Sequence, residues 1–188
     1  MPVWGTSLQT LGLGLPTRLL ASPAACTILP IALGSAVGWS LSPSIKRKIY
    51  DSLRQPPLHP PSYLFPPVWT LLYGLMGYSI HHFHATSSTH PSFPATTALY
   101  TLQLSLNLLW TPLFFGLERP ALACVDILAL GGCISALTAN YFAAGDSVAG
   151  WCMVPYVAWV SFATYLNVGV GVLNGWEMRS KRAAPKKE

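Results

Sequence analysis

The chain is short of charge. Only 9% of its 188 residues are Asp, Glu, Lys or Arg, and six are acidic. A soluble domain ordinarily carries about a quarter charged residues. So few ionised groups cannot clothe a water-facing surface of this size, which points instead to one domain solvated largely by lipid. Cysteine is also scarce: Cys26, Cys124, Cys133 and Cys152 all fall in apolar runs and form no C-x-x-C pair. That argues against a disulfide framework or a zinc site and for buried free thiols. No Walker loop, G-x-G-x-x-G, H-E-x-x-H, G-x-S-x-G or N-x-S/T occurs. The usual soluble-enzyme signatures are therefore missing, and no cofactor is expected.

What is present is apolar length. Apolar residues make up 52% of the chain, with mean hydropathy +0.43. Five runs, Leu19–Leu41, Tyr63–Phe83, Thr96–Leu117, Ala121–Ala144 and Val148–Leu173, approach or exceed the ~20 helical residues that cross a bilayer. Their length and lack of alternating polarity favour helix over strand. Turn-like separators divide them: SPS, SSTHPSFP, ERP and GDS. Prolines inside the runs (Pro30, Pro66, Pro67, Pro112, Pro155) are tolerated in a membrane bundle, where neighbours satisfy the freed carbonyls. The expected fold is all-α, an integral membrane bundle of five transmembrane helices over residues 19–175. A flexible or interfacial extension (1–18) precedes it and a basic tail (176–188) follows.

Placement of the basic residues supports five spans. With an odd count the termini lie on opposite sides, and one side then carries only Arg18. The other carries Lys46, Arg47, Lys48 and Arg54, then Arg119, then Arg179, Lys181, Arg182, Lys186 and Lys187. Ten against one is a positive-inside signal that puts the first loop and the tail in the cytosol. The basic groups sit in short flanks between apolar runs, so the lipid bilayer, not nucleic acid, is the partner they indicate.

Helical spacing sorts the polar and aromatic residues within the runs. Trp69, Tyr73, Met76 and Gly77 form one stripe; Gln103, Asn107 and Trp110 another; Tyr156, Trp159, Ala163, Leu166 and Asn167 a third. Asp126, Cys133 and Asn140 share a face of the fourth run, and Asp126 is the only carboxylate inside any span. Its expected role is a hydrogen bond to another helix, with a proton-relay or ligand role as the alternative. Each stripe alone is ordinary packing; together they suggest an apolar, aromatic cavity with a few polar anchors, suited to a flat hydrophobic ligand. HHFHATSSTH (His81–His90) reads as imidazoles at a membrane interface rather than a metal site. GSAVG (Gly34–Gly38) and GVLNG (Gly171–Gly175) match the small-residue packing motif, within one subunit or between two copies in a homodimer.

With these motifs in order, the chain resembles the TspO/MBR family, the translocator proteins once called peripheral benzodiazepine receptors. The matching pieces are HPPSYLFPPVWTLLYGLMGY (His59–Tyr78), LQLSLNLLWTPLFFG (Leu102–Gly116), Asp126, and PYVAWVSFATYLN (Pro155–Asn167). The resemblance implies a five-helix bundle that binds porphyrins, sterols and synthetic drugs in a pocket closed by the first loop. Trp69, Tyr73, Asn107, Trp110, Trp159, Ala163 and Leu166 would line that pocket, and His59, Pro60 and Pro61 would belong to its lid. It further implies that, were the protein a light- and oxygen-dependent porphyrin-degrading enzyme, Trp69 and Trp159 would be the catalytic candidates. A dimeric membrane scaffold is a third reading. Departures from the family pattern are Leu58 and Tyr63 at tryptophan positions of the loop, and Leu122 four residues before Asp126. The animal sterol motif is absent, because Tyr165 has no Lys or Arg in the next five residues. By resemblance the membrane would be the mitochondrial outer membrane or a secretory-pathway membrane if the source is eukaryotic.

Overall fold

Prolines set where the helices begin. Pro23, Pro66, Pro94 and Pro120 lie at the first or second position of four long helices, where a missing N–H leaves nothing unsatisfied and the fixed φ is already helical. The computed structural model describes residues 15–178. Among these it has seven α-helices: α1 (Thr17–Leu20), α2 (Pro23–Ser40), α3 (Pro43–Ser52), α4 (Phe65–Ser87), α5 (Phe93–Thr111), α6 (Pro120–Ala143) and α7 (Ser147–Leu173). No strand occurs among the described residues. A 3-10 turn, Ser62–Leu64, leads into α4, and a π-helical turn, Pro112–Gly116, follows α5. The first fourteen residues of the expected extension and the basic cluster Arg179–Lys187 lie outside the described residues.

The five long helices close into a ring, α2–α4–α7–α6–α5 and back to α2. Packing is extensive for α6 on α7, α5 on α6, α2 on α4 and α4 on α7, whereas α4 and α5, consecutive in the chain, barely touch. Met76, Ile80, Phe83, Tyr100, Ile134, Tyr141, Met153 and Tyr156 form the core. The outer faces are apolar as well: Leu71, Leu122, Val125, Leu128, Trp151 and Val172 are all exposed. A helix bundle apolar on both its inner and outer faces is built for lipid. Three of its helices, α2, α6 and α7, are long and apolar enough to cross a membrane by length and composition. This is an integral membrane helical bundle.

Element boundaries depart from expectation in three places. The first apolar run is broken at Ala21–Ser22, where Ser22 caps α2 by accepting the Ala25 N–H at 3.3 Å. Helix α4 runs through the histidines to Ser87. The basic first loop contains a helix, α3, whose Ile49 packs against a second small core of Leu53, Phe114, Ala123, Val170 and Met178.

The two glycine motifs serve different ends. A Cβ on Gly34 would run into the Tyr73 ring, and one on Gly77 would strike the Cys26 carbonyl, so α2 and α4 approach backbone to side chain and backbone to backbone. Of the first motif, Gly34 is thus used within the subunit, while a Cβ on Gly38 would meet nothing within 4 Å. In GVLNG, Gly171 is covered by the ring of Trp176, from just past the helix end. Gly175 lies beyond α7 with φ +67, the Trp176 N–H bonds Gly171 O at 2.7 Å, and the Gly175 N–H bonds Val172 O at 3.3 Å. That pattern is a Schellman stop, which requires a residue free to take the left-handed conformation.

Where α4 ends, the histidines are structural. Nδ1 of His81 donates to Leu20 O at 2.9 Å. His82 Nδ1 lies 2.9 Å from Asp146 Oδ2, which also accepts from Thr86 Oγ1 at 3.0 Å, while Asp146 Oδ1 accepts the Ala149 N–H at 2.9 Å. Burial works to raise the Asp146 carboxyl, but the bonds from Ala149, His82 and Thr86 outweigh it and hold it below the ordinary carboxylate value. No group of three or more His, Cys, Asp or Glu placed to hold a metal occurs among the described residues.

Candidate ligand-binding site

Three of the aromatic stripes converge inside the ring. Trp69 and Tyr73 lie one turn apart on α4 with ring centroids 5.6 Å apart, and Trp69 meets Tyr156 of α7 edge-to-face at 6.1 Å. Asn107 of α5 ties these helices together. Its Oδ1 accepts from the Tyr73 hydroxyl at 2.7 Å and its Nδ2 donates to the Tyr156 oxygen at 2.9 Å. The amide thus links two helices, α4 and α5, that otherwise share few contacts, and it is 5% exposed. One turn on, Trp110 donates from Nε1 to Asn167 Oδ1 at 3.1 Å and stacks on Phe114 at 4.9 Å. Asn167 in turn donates to Pro120 O at 3.2 Å, joining α7 to the start of α6. Each amide therefore bonds to a second or third helix, the usual means of satisfying polar side chains where water is absent.

Trp159 and Ala163 are half-buried against the same core. The Trp159 ring meets Phe65 at 6.0 Å, and Phe65 meets Tyr50 of α3 at 6.1 Å, so an aromatic chain runs from the interior to the first loop. Leu166 is buried. Three side chains on these faces carry polar atoms without partners: the indole N–H of Trp159, Oε1 of the fully buried Gln103, and both carboxylate oxygens of Asp126, a side chain only 6% exposed. The interhelical hydrogen bond expected of Asp126 is not formed among the described residues. Cys133 and Asn140, on the same face of α6, are half-buried.

The first loop folds back over this end of the bundle. Residues 56–59 make a tight turn: Leu58 takes φ +63, and His59 Nδ1 donates to Pro56 O at 3.2 Å. Tyr50 donates its hydroxyl to Pro60 O at 2.9 Å. Burial, reinforced by the neighbouring Asp51 carboxylate, raises that hydroxyl above its ordinary value and keeps it a donor. Of the expected lid residues, Pro60 is half-buried while His59 and Pro61 face outward. An open apolar groove of ≈ 420 Å³ lies elsewhere, lined by Leu75, Ser147, Val148, Trp151, Cys152 and Pro155, and shares no residue with this interior.

Spacing along each run anticipated Trp69, Tyr73, Asn107, Trp110, Tyr156 and Asn167 as inward-facing, but not that Asn107 joins two tyrosines. The contacts that Tyr50, Pro56, Phe65 and Asn174 make were not anticipated. A usable signal existed for Phe65 and Tyr50, aromatic residues flanking the loop; none existed for Asn174, 120 residues from its partner Arg54.

Comparison with known proteins agrees with this architecture. The TspO/MBR family matches residues 26–173. A translocator protein homolog of Schizosaccharomyces pombe is 38% identical over 151 residues, covering 79% of this chain and 89% of its own length. A tryptophan-rich protein TspO of Chlorobaculum tepidum is 38% identical over 80% of this chain and 94% of its own. The translocator protein of Homo sapiens is 34% identical over 87% and 96%. With a match running through all five long helices and relatives aligned over most of their length, the chain belongs to the TspO/MBR family.

Proposed function

We propose that this protein binds a tetrapyrrole or another flat apolar molecule, such as a sterol, between α4, α5 and α7, beneath the first loop, and passes it across or along the membrane. The observation that carries the reading is the bridge Tyr73–Asn107–Tyr156, with Trp69 against it, which gathers side chains of α4, α5 and α7 at one point of the interior. Rings there offer stacking area, and the amide offers one donor and one acceptor to a ligand's polar edge. Trp110, Trp159, Ala163 and Leu166 complete the wall. The bundle crosses the bilayer five times, with the first loop and the tail on the cytosolic side, as the ten-to-one basic asymmetry indicates.

Titrating the purified protein in nanodiscs with protoporphyrin tests this. Quenching of tryptophan emission at micromolar ligand is expected, weakened at least fivefold by Trp69→Phe with Tyr73→Phe. Unquenched emission refutes the binding reading. A new absorbing product formed under light and oxygen, and lost in Trp69→Phe or Trp159→Phe, would replace it with porphyrin degradation.

A further inference from the structure

The first loop is fastened to α7 by bonds that the binding reading does not use. Asn174, the residue that ends α7, holds both backbone groups of Arg54: its Oδ1 accepts the Arg54 N–H at 3.1 Å and its Nδ2 donates to the Arg54 carbonyl at 3.0 Å. Further up the helix, Tyr165 donates its hydroxyl to Pro57 O at 2.9 Å. Between them Pro56 is seated on Gly169, where an added Cβ would come within 2.7 Å of the proline ring. These contacts lie along one edge of α7, since positions 165 and 169 are one turn apart. Residues 54–57 are thereby clasped to that edge at three points. At its two ends the loop is anchored separately, by Leu53 in the small core and by Tyr50 on Pro60.

The fastening has the character of a catch. Both hydrogen-bonding stations lie at the protein surface rather than in the core, and the net strength of each bond is modest. The contacts to Arg54 and Pro57 are to backbone atoms, which makes them independent of the loop's side chains. A segment held by a few exchangeable surface bonds opens locally far more often than the core unfolds.

We propose that Asn174 and Tyr165 form a latch that holds residues 54–57 of the first loop against the edge of α7, and that its release sets the rate at which ligand enters and leaves. The rate half rests on the binding reading above; the latch itself does not. Both are tested on the full chain in nanodiscs with Asn174→Ala and Tyr165→Phe. Trypsin cleavage of the Arg54–Gln55 bond reports the latch, because both backbone groups of Arg54 are occupied when it is closed, and cleavage after Lys48 in α3 is the internal control. Asn174→Ala is expected to speed cleavage at Arg54 about tenfold with the Lys48 rate unchanged, and Tyr165→Phe about threefold. Stopped-flow quenching with protoporphyrin is expected to show association and dissociation rising together by the same factors, with Kd within twofold of the parent. Unchanged Arg54 cleavage in both variants overturns the latch. Weaker Kd at unchanged association overturns the gating role, because Asn174 would then hold ligand. If the parent protein shows no quenching, the rate half falls with the binding reading while proteolysis still decides the latch. Should Asn174→Ala not fold, Tyr165→Phe, which removes one exposed oxygen, decides alone.

Discussion

Replacing Asn107 by alanine should cost stability out of proportion to its size. The amide accepts a partly buried hydrogen bond at 2.7 Å and donates a buried one at 2.9 Å, with hydroxyls on two other helices. A typical buried hydrogen bond contributes about 0.5–1.5 kcal/mol net, and a partner left unsatisfied away from water costs about 1–3 kcal/mol. Interhelical bonds inside membranes measure at the lower end, averaging roughly 0.6 kcal/mol, because the unfolded chain in lipid finds other partners. Two bonds lost, with the hydroxyls of Tyr73 and the fully buried Tyr156 both left without Asn107, place the expected loss at about 2–3 kcal/mol. Tyr73→Phe alone, which removes one bond and leaves only the Asn107 Oδ1 acceptor without its donor, should cost about 1 kcal/mol. Unfolding in mixed micelles by titration with a denaturing detergent measures both, and the double variant closes the cycle. Because the two changes share a bond, the double variant should be less destabilised than the sum of the single ones by about 1 kcal/mol. Strict additivity, or an Asn107→Ala loss below about 0.5 kcal/mol, would refute the bridge as a tie between α4, α5 and α7.

Two other outcomes follow from the polar groups. The carboxyl of Asp146 is held below its ordinary value, so its contribution to stability is fully present above the unfolded pKa near ~4 and is lost as pH falls through the lowered native value. Thermal stability should therefore decline with acidification below about pH 4, and Asp146→Asn should flatten that decline while lowering the midpoint at neutral pH; an unchanged pH profile would contradict the assignment. For Asp126, whose oxygens are buried without partners, Asp126→Asn should leave stability unchanged or raise it by about 1 kcal/mol, since removing an unpaired buried acid relieves a desolvation cost. A large loss in the same denaturation assay would show that the carboxylate has a partner after all.

Legibility from sequence tracked the range of the interactions. The all-α membrane class and the positions of the long helices follow from composition and from proline punctuation, both local. The inward stripes follow from the 3.6-residue period, which orients Trp69 with Tyr73 and Asn107 with Trp110 whatever the tertiary arrangement. Helix α3 escaped because the charged run KRK dominates its ten residues, and the apolar Ile49 that packs it down is a single residue. GVLNG was ambiguous because a glycine pair four apart is equally the signature of packed helices and of a helix stop, and only φ at Gly175 shows the stop. Asn174 against Arg54, or Tyr165 against Pro57, pair residues more than 100 positions apart, and no periodicity encodes such a meeting.

The wiring of the ring bears on how the molecule is made. Sequential hairpins join α5 to α6 and α6 to α7, but α4 has little contact with α5 and finds its main partners in α2 and α7. As the chain emerges, Trp69, Tyr73 and Met76 must wait with an incomplete neighbour until the final helix slots between α4 and α6. Only then do Tyr156 and Asn167 arrive to receive Asn107 and Trp110, and only then can Asn174 reach Arg54. Of the five long helices the last to be made is therefore the one that closes the ring, and a chain arrested before α7 would lack every contact that joins α4 to α6 through it.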